Sequence, residues 1–95
     1  MREKQVEQAL VKAVKANGGI CPKFTSPGLA GVPDRLVLMP NGKLGFVEVK
    51  APKKKPRALQ FYRMKQLTDL GFQWFVLNKI EQSPELLERI GGDAK

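Results

Sequence analysis

The sequence predicts a small α/β domain in which a mixed β-sheet, a central hairpin plus a parallel crossover strand, is flanked by α-helices. Three observations predict it. Two apolar runs, Leu36-Val37-Leu38-Met39 and Leu44-Gly45-Phe46-Val47-Glu48-Val49-Lys50, are joined by Pro40-Asn41-Gly42-Lys43, whose Asn-Gly step is a hairpin turn signal. Apolar residues recur at helical spacing before the hairpin, over Arg2 to Asn17, and after it, over Pro56 to Leu70. A further strand-like run, Phe72 to Leu77, follows the second helix. Strand, long helix, strand is a crossover, so this last strand is expected to run parallel to the second strand of the hairpin.

The elements follow in order. In the first helix Val6, Ala9, Leu10, Ala13 and Val14 form one apolar stripe, and Asn17-Gly18-Gly19 ends it. Glu7 lies at the margin of that stripe, either as a solvated boundary residue or as a carboxylate aimed at a site on the sheet. Ile20 to Phe24 reads as a short strand, and Pro22 suits it to an edge or an irregular segment. Ser26-Pro27-Gly28-Leu29-Ala30-Gly31 is a loop whose glycines allow close approach to a ligand. Both hairpin strands are apolar on both faces apart from a few charges, as in strands covered on both sides. Pro56 fits the first turn of the second helix and Gly71 its stop, with Leu59, Tyr62, Met64, Leu67 and Leu70 as the apolar side. Gln60 should point inward or along the boundary. In the last strand Trp74, with Phe72 and Val76, reads as core and not as a base-stacking platform. Ser83-Pro84 opens a short final helix, Glu85 to Ile90, ended by Gly91-Gly92.

Composition narrows the chemistry. The 95 residues make a single domain, 1–95, near the lower limit for one hydrophobic core, so a homodimer burying extra surface is expected. No apolar run approaches the roughly 18 residues of a membrane span, and no signal-like segment follows Met1, so the protein is expected to be intracellular and cytoplasmic. Cys21 is the sole cysteine, which rules out an internal disulfide. There is no histidine, which removes Ser-His-Asp and Cys-His catalysis and His-ligated zinc together. Any hydrolytic chemistry must run on carboxylates and lysine, with or without a bound hard cation. A net charge of +8 points to a polyanionic partner.

The hairpin carries the unusual charges. Asp34 precedes its first strand, and Glu48 and Lys50 lie two apart in its second, on one face and roughly 6.6 Å apart along the chain. Charges in an apolar strand cost stability unless paired, solvated or bound to metal. The simplest account is a structural Glu48–Lys50 salt bridge. The functional account starts from the spacing of paired strands, about 4.8 Å, which lets Asp34 and Glu48 converge. Two carboxylates and a strand carbonyl, that of Val49, make an oxygen-rich site for Mg²⁺ or Mn²⁺. Lys50 is placed to orient or deprotonate a water or to stabilise a crowded phosphate. Directly after it, Lys50 through Lys65 holds seven basic residues and no acidic one. Lys53, Lys54, Lys55, Arg57, Arg63 and Lys65 are the expected phosphate contacts, giving affinity without reading sequence.

These residues carry a resemblance. Pro33-Asp34 followed by Glu48-Val49-Lys50 resembles the PD-(D/E)XK nuclease signature. More narrowly, Gly31-Val-Pro-Asp34-Arg35, the hairpin, Phe46-Val-Glu48-Val-Lys50-Ala51, then Gln60, Leu67 and Gly71, resembles the VRR-NUC (virus-type replication-repair nuclease) domain over about residues 5 to 80, as a stand-alone copy. The resemblance implies a restriction-endonuclease-like core and a metal-dependent hydrolase acting on DNA, often branched or flapped. It implies Asp34 and Glu48 as metal ligands, Lys50 as catalytic, Glu7 completing the site from the first helix, and Gln60 as the matching helix glutamine. Arg57 stands where a small polar residue is frequent, a departure that touches the helix cap. A phage or bacterial source fits the resemblance.

The expectation is therefore an Mg²⁺- or Mn²⁺-dependent endodeoxyribonuclease acting at four-way (Holliday) junctions or flaps. Two sites related by a homodimer axis would suit a symmetric junction. The alternatives are a non-catalytic nucleic-acid-binding module on the same fold and a nuclease directed at RNA.

Overall fold

Three strands, Arg35–Met39 (β1), Lys43–Val49 (β2) and Gln73–Leu77 (β3), form one sheet in the order β1-β2-β3 in the computed structural model, which describes residues 2–91. The helices are Glu3–Ala16 (α1), Ala58–Asp69 (α2) and Ser83–Gly91 (α3). β1 and β2 are antiparallel, with Arg35 opposite Val47 and Met39 opposite Lys43. Asn41, at φ 69°, and Gly42, at φ 74°, supply the left-handed turn that joins them. β2 and β3 are parallel through the α2 crossover, with Phe46 beside Trp74 and Glu48 beside Val76. The mixed sheet and its helical flanks are those expected. Gly92 of the expected helix stop and the extremes of the 1–95 span lie outside the described residues.

Strand alternation sorts the side chains of β2 to two faces. Val47 and Val49 join Val6, Leu10 and Val14 of α1 and Leu86, Leu87 and Ile90 of α3 in the main core. Gly45 lies on the same face, where a Cβ would stand 2.5 Å from Ile90 Cδ1, so glycine lets α3 press against the sheet. Phe46, Glu48 and Lys50 take the other face, toward α2. There Phe46 meets Phe24 in a tilted contact and Phe72 edge-to-face, each ring centroid 5.7 Å away. All of β2 from Gly45 to Val49 is buried, whereas β1 buries only Val37 fully. The expected double cover thus holds for the central strand and not for its hairpin partner. Beyond β1, Ile20 and Lys23 bridge to Leu38 and Arg35, so the Pro22 segment lines that edge irregularly. On the far side β3 is an edge strand.

The main departure lies in α2. Of its expected apolar side only Met64 is buried and Leu67 half-buried, while Leu59, Tyr62 and Leu70 are 49, 62 and 67% exposed. The helix leans on the sheet through a narrow stripe centred on Gln60 and Met64, and the leucines and tyrosine stand on its outer flank. Phe72, expected in the core, is half-exposed, and Trp74 and Val76 are half-buried. No described helix is long and apolar enough to cross a membrane.

Candidate active site

The α2 face of the sheet gathers charge at the end of β2. Glu48 is the most buried polar residue there, at 1% exposure. Its Oε2 receives two donors: Gln60 Nε2 at 2.5 Å and Lys50 Nζ at 3.2 Å. The Gln60 amide has one possible orientation. Its Oε1 accepts the backbone N–H of Arg57 at 2.7 Å, the reciprocal half of a capping box at the start of α2, which turns its NH₂ toward a carboxylate that can only accept. Arg57, at the cap itself, contributes through its backbone.

Asp34 arrives from the other side. The β1–β2 pairing ends at Arg35 opposite Val47, and beyond it the Asp34 carboxylate takes over the ladder, its Oδ2 accepting the Val49 N–H at 3.0 Å. A strand residue points its N–H and C=O to the same neighbour, so the Val49 carbonyl also faces the Asp34 side. Pro33, fully buried, fixes the chain entering this position.

Two features bear on a cation. Glu48 Oε1 is buried with no hydrogen-bond partner among the described residues, which is costly for a carboxylate unless another ligand engages it. Burial, and next the charge of Asp34, push the Glu48 carboxyl above the ordinary range, against the opposing pull of Lys50 and Gln60. A divalent cation would relieve both, and Glu48 Oε1, the Asp34 carboxylate and the Val49 carbonyl are the hard oxygen donors such an ion takes. The residues therefore fit the group.

Glu7 is placed elsewhere. α1 packs on the opposite face of the sheet, and Glu7 Oε2 is bound by Arg35 Nε at 2.9 Å, while Arg35 Nη1 donates to the Cys21 carbonyl at 2.7 Å. Among the described residues no three of His, Cys, Asp and Glu stand close enough to share a metal. Arg35 stands in the Gly31–Arg35 motif, but the sequence assigns it no role; its place directly after Asp34 and the alternation that puts it on the α1 face are the signals for this contact.

The basic residues divide. Lys53, Lys54, Lys55 and Arg57 are exposed on the connector and at the start of α2. Lys65 pairs with Asp69 at 3.1 Å across one exposed helical turn. Arg63 is engaged: its Nε donates to the Ala30 carbonyl at 2.9 Å and its Nη1 to Gln66 Oε1 at 2.7 Å, tethering the 26–31 loop to α2.

No protein-family model matches the chain. It is 49% identical over 83 residues to a protein named "Putative nuclease p44" from Acyrthosiphon pisum secondary endosymbiont phage 1, a match covering 87% of this chain and 89% of the relative. A solved structure described as "VRR_NUC domain" superposes with a TM-score of 0.84 at 31% identity, over 90% of this chain and 94% of that one. A second, "VRR_NUC domain protein", superposes with a TM-score of 0.76 at 15% identity over 96% and 88%, a likeness of fold.

Proposed function

This chain belongs to the VRR_NUC domain family, and from that premise we propose that it is a nuclease, an Mg²⁺- or Mn²⁺-dependent endonuclease that hydrolyses DNA phosphodiesters at branched structures such as four-way junctions and flaps. The observation that carries the metal dependence is the partnerless buried Oε1 of Glu48 beside Asp34. Asp34, Glu48 and the Val49 carbonyl would hold the ion. When bound, it would neutralise charge on the phosphodiester and lower the pKa of a water.

The chain's own residues supply the rest. Gln60 and Lys50 hold Glu48 through Oε2, which leaves Oε1 as the donor for a cation. The Val49 N–H fixes the Asp34 carboxylate in the plane of the sheet. Lys50, ion-paired and only partly exposed, contributes a fixed positive charge to a phosphate crowded by an incoming oxygen. Lys53, Lys54, Lys55 and Arg57 hold flanking phosphates, with Lys65 at their margin. Glu7 acts through Arg35, anchoring α1 and the Cys21 segment behind Asp34. A homodimer is supported by the β3 edge, beside which Leu70 and Phe72 are exposed. The phage relative fits action inside a bacterial cell.

The test is cleavage of duplex, flap and four-way-junction DNA with Mg²⁺, Mn²⁺ or EDTA, by the wild type, Glu48→Gln and Lys50→Ala. Metal-dependent cleavage lost in both variants is the expected result. Cleavage that survives chelation, or salt-sensitive binding with none, would overturn the reading in favour of a different mechanism or a binding module.

A further inference from the structure

The outer flank of α2 is built in a way its packing does not require. A helix of 12 residues that buries only Gln60 and Met64 has turned apolar side chains toward solvent. Leu59 and Tyr62, three apart and thus on one flank, are 49 and 62% exposed. The 26–31 loop is fastened beside them at two points. Arg63 binds the Ala30 carbonyl, and Gly31, at φ 82°, lies so close to Leu59 that a Cβ would stand 2.8 Å from its carbonyl oxygen. Two residues before Gly31, Leu29 ends a turn closed by its N–H to the Ser26 carbonyl at 3.0 Å, and is 41% exposed. The Arg63 guanidinium lies 5.4 Å from the Tyr62 ring centroid, so a cation backs the aromatic face.

We propose that Leu29, Leu59 and Tyr62 form a ledge that receives an unstacked base of the DNA beside the scissile phosphate, so that branched or frayed DNA is preferred to continuous duplex. The inference rests on the nuclease reading above and adds the surface that selects the substrate. Position is the first argument: the 26–31 loop, fastened to α2 at Leu59 and Arg63, leads within three residues into Asp34, and the same helix carries Gln60, bonded to Glu48. Charge is the second. Residues 50–68 contain seven Lys or Arg and no Asp or Glu. A second copy docked on this flank would bring two such segments together, whereas a polyanion neutralises them. Shape is the third, since an exposed aromatic backed by a guanidinium, with aliphatic neighbours, suits the π-face of any base.

The experiment uses full-length Glu48→Gln protein in EDTA, binding a four-way junction or flap with 2-aminopurine at the branch point, against duplex of equal length. Tyr62→Ala, and separately Leu29→Ser with Leu59→Ser, should weaken branched-DNA binding roughly tenfold, the scale of one lost base stack. Each should abolish the branch-point fluorescence change, with duplex binding altered less than about threefold on the same scale. Tyr62→Phe should restore the preference, which separates stacking from loss of fold. Equal weakening on both DNAs, or an unchanged preference, overturns the ledge. So does a shift in sedimentation of the Tyr62→Ala protein, which would make this flank a contact between copies. Absence of cleavage by the wild type in Mn²⁺ would instead strike the nuclease reading, and the binding arms would still report on the ledge.

Discussion

Gln60 and Glu48 are joined by a buried hydrogen bond that spans α2 and β2, and the same amide closes the N-terminus of α2 on Arg57. One side chain thereby sets the orientation of the carboxylate and the start of the helix. Gln60→Ala removes a donor to a buried carboxylate and an acceptor from a helix N–H. The expected loss is about 1.5–3 kcal/mol of unfolding free energy, read from the urea midpoint at constant slope. Cleavage should fall further than stability predicts, because Glu48 is freed to turn. An unfolding midpoint equal to that of wild type would refute the bond.

Glu48 also makes stability depend on pH in a direction opposite to most carboxylates. Its folded-state pKa is raised above the ordinary value of 4.5, first by burial and then by Asp34. Between 4.5 and the raised value the native state binds more protons than the unfolded chain, so stability falls as pH rises through that window. Below it the charge penalty is absent. In EDTA, the difference in unfolding free energy between wild type and Glu48→Gln should therefore shift toward the variant as pH climbs from 4.5 to 8. A difference that stays flat, or moves toward wild type, contradicts the raised pKa.

Much of this was legible in residues whose pattern is local. The Asn41-Gly42 turn, the crossover through α2 and the α1 stripe of Val6, Leu10 and Val14 follow from periodicity and turn chemistry, and the structure has all three. Glu48 and Lys50 share a face because strands alternate, which spacing alone states. What was not legible depends on which flank of an element meets the sheet. The apolar residues of α2 spread around most of its circumference, so periodicity could not choose between the Gln60–Met64 stripe and the Leu59–Tyr62 flank. Arg63 counts as a phosphate contact by charge and position, whereas in the structure its guanidinium also holds the Ala30 carbonyl of a distant loop. Long-range partners of this kind leave no mark in sequence spacing.

Glu7 is bound by Arg35 on the α1 face of the sheet, whereas Glu48 faces α2, and the consequence of that placement is measurable. Glu7 and Arg35 form a part-buried charged pair that joins α1 to the strand beginning at Asp34. Glu7→Gln should cost about 1 kcal/mol in stability, while Mn²⁺ affinity by calorimetry changes by less than about threefold, a shift below 1 kcal/mol. Glu48→Gln should lower that affinity at least about tenfold, or 1.4 kcal/mol. Equal losses in the two variants would put Glu7 in the ion's coordination sphere.

Lys53 sits at φ 69°, the left-handed region, in a turn that follows Pro52 and is closed by the Lys54 N–H to the Ala51 carbonyl at 3.0 Å. Proline then a left-handed residue is the pattern of a type II turn, which favours glycine where this chain has lysine. A lysine at a position that strains its backbone is a candidate for a functional contact. Lys53→Gly should relieve about 1–2 kcal/mol of backbone strain against about 0.5–1 kcal/mol of added chain entropy, for a small net gain in stability. The same variant should bind duplex DNA more weakly, with the slope of log K against log salt shallower by about 0.9, the loss of one phosphate contact. The two effects have opposite signs, so a generally damaged protein cannot imitate them. A variant that gains stability and keeps the wild-type salt slope would show that the lysine is tolerated in the turn and not used there.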